Sequence, residues 1–261
     1  MSSWDFVISN IRFSYSSVSA FDNCPYSFKL AYLDVAPREN NFFGEYGTLI
    51  HECFEKYFLG KLEAFELSQE YAKKYDTTIK TPLIGFTPGL EDKYKQQGKD
   101  FFDSFSFNKD DYNIIFAENK IDTTLDDINI VAKPDLVLEE KETGKVILFD
   151  YKTATPFWES KSNGKEMSDK KKIKGYYKQM LLYTYALQKE HDIAVDEITL
   201  WFIRLDKLVT IARDLDEETE VVEEFKEIVK RIKAEELFTY NNSNQFFCNN
   251  LCGVRASCEY K

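Results

Sequence analysis

Apolar side chains recur at two different spacings along this chain, and the switch between them divides it. Residues 48–74 carry Leu49, Ile50, Cys53, Phe54, Tyr57, Phe58 and Leu62 on one stripe, with Gly47 just before it, which predicts an amphipathic helical segment. Pro82, Gly85, Pro88 and Gly89 interrupt it, and a further helix is predicted over residues 90 to about 105. The period then shortens, with strand-like runs over 112–121, 128–138 and 145–152. Residues 176–190 return to a helical stripe through Met180, Leu181, Tyr183, Thr184 and Leu187. Residues 197–204 and 207–213 read as a β-hairpin, and 216–237 as an amphipathic helix through Val221, Val222, Phe225, Ile228, Val229 and Ile232. The order α, β, β, β, α, β predicts a mixed α/β core over 111–213. A mainly helical region (1–110) precedes it, and an acidic helix with a cysteine-bearing tail (214–261) follows, all in one domain.

Composition agrees with a folded chain. The 261 residues are 43% hydrophobic and 16% aromatic, and the 10 Gly and 6 Pro are scattered without a repeat or a linker-like run. No apolar stretch approaches the roughly 18 residues of a membrane span, and the first residues lack a basic segment followed by an apolar one. A cytoplasmic protein with no membrane partner is the expectation.

A net charge of −11 opposes binding to nucleic acid at first sight. Residues 214–236, however, hold ten acidic side chains against four basic ones, so more than half of the excess lies on the final helix. Residues 159–174 are lysine-rich, and Lys170, Lys171, Lys172 and Lys174 are candidate phosphate contacts; a solvated loop without a ligand is the alternative.

Within Leu148-Phe149-Asp150-Tyr151-Lys152, alternate strand residues share a face, so Asp150 and Lys152 project together. An ordinary ion pair on a strand would look the same. The preceding strand carries Asp135 in Ala132-Lys133-Pro134-Asp135, and a hairpin can bring it beside Asp150. Two converging carboxylates suit a hard divalent cation, Mg²⁺ or Mn²⁺, which can bind a phosphate oxygen and activate water.

With these residues in this order, the chain resembles the PD-(D/E)xK nuclease superfamily. Gly47-Thr48-Leu49-Ile50-His51, Glu118, and Gln179-Met180-Leu181-Leu182-Tyr183 resemble its RecB-like exonuclease branch. The resemblance implies a restriction-endonuclease-like sheet flanked by helices. It also implies metal ligation by His51, Asp135, Asp150 and the Tyr151 carbonyl, and catalytic roles for Asp135, Asp150, Lys152, Gln179 and Tyr183. Taken singly, His51 reads as a half-buried helix residue, Gln179 as a surface amide and Tyr183 as core. Ala132 stands where the family has Gly three residues before the first Asp.

Five cysteines without a secretion signal fit metal ligation or buried thiols better than disulfides. Cys248, Cys252 and Cys258 cluster late, and Cys24 in Cys24-Pro25-Tyr26 resembles the early cysteine of iron–sulfur RecB-like nucleases, the AddB-type domains and a CRISPR-associated exonuclease among them. The resemblance implies a [4Fe–4S] cluster, with zinc as the alternative occupant. Cys53 reads as a core thiol. The implied activity is exonucleolytic cleavage of single-stranded or frayed DNA, with a helicase, recombination or CRISPR-adaptation protein as partner; a non-cleaving DNA-binding subunit is the competing reading.

Overall fold

The computed structural model describes residues 4–83, 86–154, 173–235, 237–241 and 245–261, and it divides into two compact units. Each unit gathers chain from distant parts of the sequence. Residues 42–119 and 133–214 form the first, here the sheet unit; residues 1–41, 120–132 and 215–261 form the second, the cysteine unit.

In the cysteine unit, α1 (Asp5–Asn10), α2 (Tyr15–Asn23) and α3 (Pro25–Phe28) lead into a π-helical turn, Lys29–Leu33. Ser14 and Ser17 cap α2 reciprocally, satisfying backbone donors that a helix start leaves open.

The sheet unit opens with α4 (Phe42–Phe58) and α5 (Leu67–Thr78). The sequence predicted one helical segment over 48–74; two helices occupy it. Gly60 takes a left-handed φ of 68°, its N–H donates to Tyr57 O at 3.0 Å, and Lys61 N–H donates to Lys56 O at 2.7 Å. This glycine-terminated stop satisfies the last carbonyls of α4 and turns the chain away. Helix α4 also starts earlier than predicted, because Phe42 and Tyr46 continue its buried stripe across Gly44 and Gly47. Helix α6 (Leu90–Asp103) packs beside α5, and Gly98 permits the approach: a Cβ there would lie 2.4 Å from the Tyr71 hydroxyl.

Among the described residues seven strands follow: β1 (Tyr112–Ala117), β2 (Ile121–Leu125), β3 (Ile128–Ala132), β4 (Leu136–Glu140), β5 (Val146–Lys152), β6 (Glu197–Phe202) and β7 (Lys207–Ala212). The run predicted as one strand over 128–138 is two strands in two different sheets. Pro134, with no N–H to give a ladder, stands between them. Strands β2 and β3 pair as a hairpin in the cysteine unit, and Phe13 bridges to Ile130 there.

The sheet unit holds the order β1-β4-β5-β6-β7, antiparallel except where β5 runs parallel to β6. Helix α7 (Lys174–His191) lies in the connection that parallel pairing requires. Strand β5 is central and buried through Asp150 and Tyr151. Ile147, Phe149 and Tyr151 face the aromatic core of α4, α5 and α6, where Tyr151 stacks on Phe54 at 4.3 Å. The alternate residues Asp150 and Lys152 share the other face, where Lys152 meets side chains of α7.

This is a mixed α/β fold with a five-stranded sheet flanked by helices, the restriction-endonuclease-like class that the sequence predicted. In the cysteine unit α8 (Leu215–Ala234) packs on α1 and α2, and the short α9 (Gln245–Asn250) leads into the tail. Among the described residues no helix is long and apolar enough to cross a membrane.

Candidate metal centre

Three elements of the sheet unit bring polar side chains to the end of β5. His51 comes from α4, Asp135 stands directly before β4, and Asp150 and Lys152 end β5. Leu136 pairs with Phe149 across the β4–β5 ladder, which sets Asp135 beside Tyr151; the Tyr151 N–H donates to Asp135 Oδ2 at 2.8 Å. His51 Nδ1 lies 2.9 Å from Glu118 Oε1 and 3.4 Å from Asp135 Oδ1. The donor atoms of His51, Glu118 and Asp135 all fall within 4.8 Å of one another. That is a spacing one cation can bridge.

Taken singly, a glutamate at the end of a strand, such as Glu118, reads as a solvent-facing residue; the structure places it otherwise. It sits just past β1 with a left-handed φ of 57°, its N–H donates to the Asp135 carbonyl at 2.9 Å, and its side chain is 8% exposed. The β1–β4 ladder shifts register between Ile114 and Phe116 immediately upstream. Such an irregularity re-aims the residues beyond it. Lys133, which sequence reasoning passed over, ion-pairs with the other Glu118 oxygen.

Asp150 stands outside the three-residue donor set. Its Oδ2 meets the Lys152 ammonium at 2.5 Å, yet that buried oxygen receives no well-directed hydrogen bond. A buried carboxylate oxygen left short of donors is costly unless a cation completes it. Lys152 is gripped from three sides: by Asp150, by Gln179 Oε1 at 3.4 Å, and by the ring face of Tyr176, whose centroid is 4.5 Å away. Gln179 Nε2 in turn donates to the Tyr183 hydroxyl at 2.8 Å, and the Lys133 backbone hydrogen-bonds that same hydroxyl. The four-residue spacing of Gln179 and Tyr183 thus places both on one face of α7. Tyr183 itself is buried.

The electrostatics follow from burial and crowding. Burial, reinforced by Asp150, pushes the Asp135 carboxyl up to about 7. Burial alone would discharge His51, but Asp135, Glu118 and Asp150 outweigh it and raise the imidazole to about 9. For Glu118, burial is overcome by the His51 and Lys133 contacts, which hold the carboxyl below its usual range. Lys152 is raised too, because Asp150 and Asp135 exceed the cost of burying its charge. In the metal-free protein, then, the acidic groups are balanced by protons and by two lysines.

The cysteine unit holds a second cluster. Cys24, Cys248, Cys252 and Cys258 line one cavity together with Tyr26, Tyr240 and Tyr260, and all five cysteines of the chain are free thiols. Cys24 precedes α3, Cys248 lies in α9, and Cys252 and Cys258 flank a short 3-10 turn, Arg255–Ser257. Burial raises the Cys252 thiol, with Cys248, Cys24 and Cys258 adding to the shift. Cys53 is buried in the core of the sheet unit. Of the candidate phosphate contacts, Lys174 is exposed at the first residue of α7, while Lys170, Lys171 and Lys172 lie outside the described residues.

A mixed sheet with Asp135 directly before one strand and Asp150-x-Lys152 at the end of its neighbour has the arrangement of a nuclease fold. The family model of the PD-(D/E)XK nuclease superfamily matches residues 12–259, and the chain belongs to that superfamily. No curated protein sequence matches it. Membership implies phosphodiester hydrolysis with a divalent metal. The donor set fits such an ion: an imidazole and two carboxylates at bridging distance, beside a buried carboxylate oxygen whose close partner is the Lys152 ammonium.

Proposed function

We propose that this chain is a RecB-like deoxyribonuclease that trims single-stranded or frayed DNA ends with Mg²⁺ or Mn²⁺. The observation that carries the reading is the convergence of His51, Glu118 and Asp135 beside the buried Asp150–Lys152 pair. His51, Asp135, Asp150 and the Tyr151 carbonyl hold the metal, with Glu118 added to the set. Bound there, the cation polarises a phosphoryl oxygen and lowers the pKa of water. The chain's own contribution is placement. Lys152 presents a fixed ammonium to charge developing on the phosphoryl group, and its grip by Gln179 and Tyr176 means that little reorganisation is needed. Tyr183 fixes Gln179. Lys174, with Lys170, Lys171 and Lys172, guides the strand.

We assign the four clustered cysteines to a [4Fe–4S] cluster rather than to zinc. Support for the cluster is the pattern itself: one early cysteine, Cys24, shares a cavity with the three late ones, as in the iron–sulfur RecB-like nucleases that the sequence resembles, while four thiolates alone would also suit zinc. A cytoplasmic setting accords with five free thiols. A helicase, recombination or CRISPR-adaptation protein remains the proposed partner class.

The test is cleavage of end-labelled DNA of both polarities by purified protein with Mn²⁺. Asp150→Ala and Lys152→Ala should each abolish product, a loss of at least about 10³-fold, while keeping the fold and any chromophore. Undiminished cleavage by either variant would sink the assigned site. Binding by the wild type with no metal-dependent product would establish the non-cleaving subunit instead.

A further inference from the structure

We infer that Lys133 is a metal-released phosphate contact: in the metal-free protein it is parked on Glu118, and it transfers to the DNA backbone when a divalent cation takes that carboxylate. This rests on the nuclease reading above. The two lysines of the site are held very differently. Lys152 is 15% exposed and enclosed by Asp150, Gln179 and Tyr176. Lys133 has a side chain 53% exposed and reaches from solvent onto a Glu118 carboxylate that is itself 8% exposed. The other oxygen of that carboxylate contacts His51, inside the donor set that one cation can bridge. A cation seated there competes directly with the Lys133 ammonium for Glu118. The cation keeps the buried Glu118 charge compensated while the half-exposed ammonium turns to solvent, so the exchange costs little. The backbone of Lys133 stays anchored through its hydrogen bond to Tyr183, so release swings the side chain alone. A freed ammonium beside a metal-bound phosphodiester neutralises phosphate as a point charge.

The experiment compares wild type, Lys133→Gln and Lys133→Arg, using a fluorescently labelled single-stranded oligonucleotide in EDTA and in Ca²⁺, with Mn²⁺ affinity titrated separately. In EDTA the glutamine variant should bind DNA like wild type. In Ca²⁺ it should bind about tenfold more weakly, with the salt slope reduced by about 1, while the arginine variant stays near wild type. Its Mn²⁺ affinity should be equal or higher, because a competitor for Glu118 is gone. Equal DNA affinity of wild type and the glutamine variant in Ca²⁺, a deficit already present in EDTA, or an equal loss in the arginine variant overturns the inference. If wild type still cleaves DNA with Mn²⁺ in those cases, the nuclease reading survives; if wild type neither binds nor cleaves, both fall.

Discussion

In the sheet unit the metal-binding candidates leave a central strand, the start of its neighbour and a 17-residue helix, and their positions are set by ladder register and an aromatic core. In the cysteine unit the four thiols sit on a four-residue helix start, a six-residue helix with no buried residue, and turns near the end of the chain. The contrast separates a site built before its metal arrives from one that its occupant helps to build. Protein contacts do join the distant segments of the cysteine unit: Tyr26 N–H donates to Thr239 O at 3.2 Å, Asn241 Nδ2 to Asn23 O at 2.9 Å, and the Tyr26 hydroxyl to Glu259 at 3.0 Å. Glu39 N–H also donates to Gly253 O at 2.7 Å, and Phe238 packs on Phe21 and Phe28, yet closing so long a loop costs entropy that metal ligation would offset.

The largest expected effect breaks that contrast if it fails. Cys258→Ser, or Cys24→Ser, should release the bound metal and with it folding free energy on the order of 10 kcal/mol, the scale of a structural four-ligand site. Asp150→Asn should cost much less, about 3 kcal/mol, because it breaks one buried ion pair and leaves the Lys152 ammonium to Gln179 and Tyr176. Metal analysis and thermal melts of the two variants give the comparison directly. A Cys258→Ser protein that keeps its metal and melts within about 2 °C of wild type would show that the cysteine unit holds itself together without ligation.

What could be read from sequence follows the same division. Strand β5 was legible because a continuous apolar run ending in Asp150-Tyr151-Lys152 has the period of a central strand, whereas His51, which lies off the apolar stripe of its helix, was legible only through the resemblance of Gly47-Thr48-Leu49-Ile50-His51. Strand β2 was not, because Ile121-Asp122-Thr123-Thr124-Leu125 puts a threonine, buried in the structure, into an apolar slot of its alternation. Glu118 was undervalued for a different reason. Its aim depends on a left-handed backbone and a shifted ladder, which are properties of pairing and not of local pattern. The division of residues 128–138 between two sheets carried one visible signal, Pro134. The cysteine spacing was plain in the sequence, whereas the cavity that gathers Cys24 with the three late cysteines belongs to tertiary structure.

A second, smaller effect sharpens the idea of a prebuilt site. Asp135 is raised from 3.8 to about 7, so the folded metal-free protein binds its proton more tightly than the unfolded chain, and stability falls as pH rises across that window. His51, raised from 6.5 to about 9, contributes stability that is complete below 6.5 and lost as pH climbs through 9. Glu118, held below its usual range by His51 and Lys133, acts with the opposite sign. A divalent cation binds the deprotonated forms, so the rise in melting temperature on adding Mn²⁺ should be small near about pH 5.5 and largest near about pH 8.5. An increment that is flat with pH would mean that the cation binds away from Asp135 and His51.

The smallest effect concerns how finely the sheet unit positions its ammonium. Tyr176 touches none of the proposed metal ligands in the described contacts, yet its ring face lies 4.5 Å from Lys152 Nζ. If that face helps to hold Lys152, Tyr176→Phe should be nearly silent, because it keeps the ring. Tyr176→Leu should lower kcat by roughly 2- to 30-fold with KM little changed, the worth of a cation–π contact expressed in the transition state. The fall should come with unaltered Mn²⁺ affinity, since the donor set of His51, Glu118 and Asp135 is untouched. Equal losses in both variants would assign the effect to the hydroxyl, and a rise in KM alone would make Tyr176 a substrate contact. The predicted pattern, a loss in kcat rescued by phenylalanine, would show that the sheet unit fixes its catalytic lysine as firmly as its metal ligands.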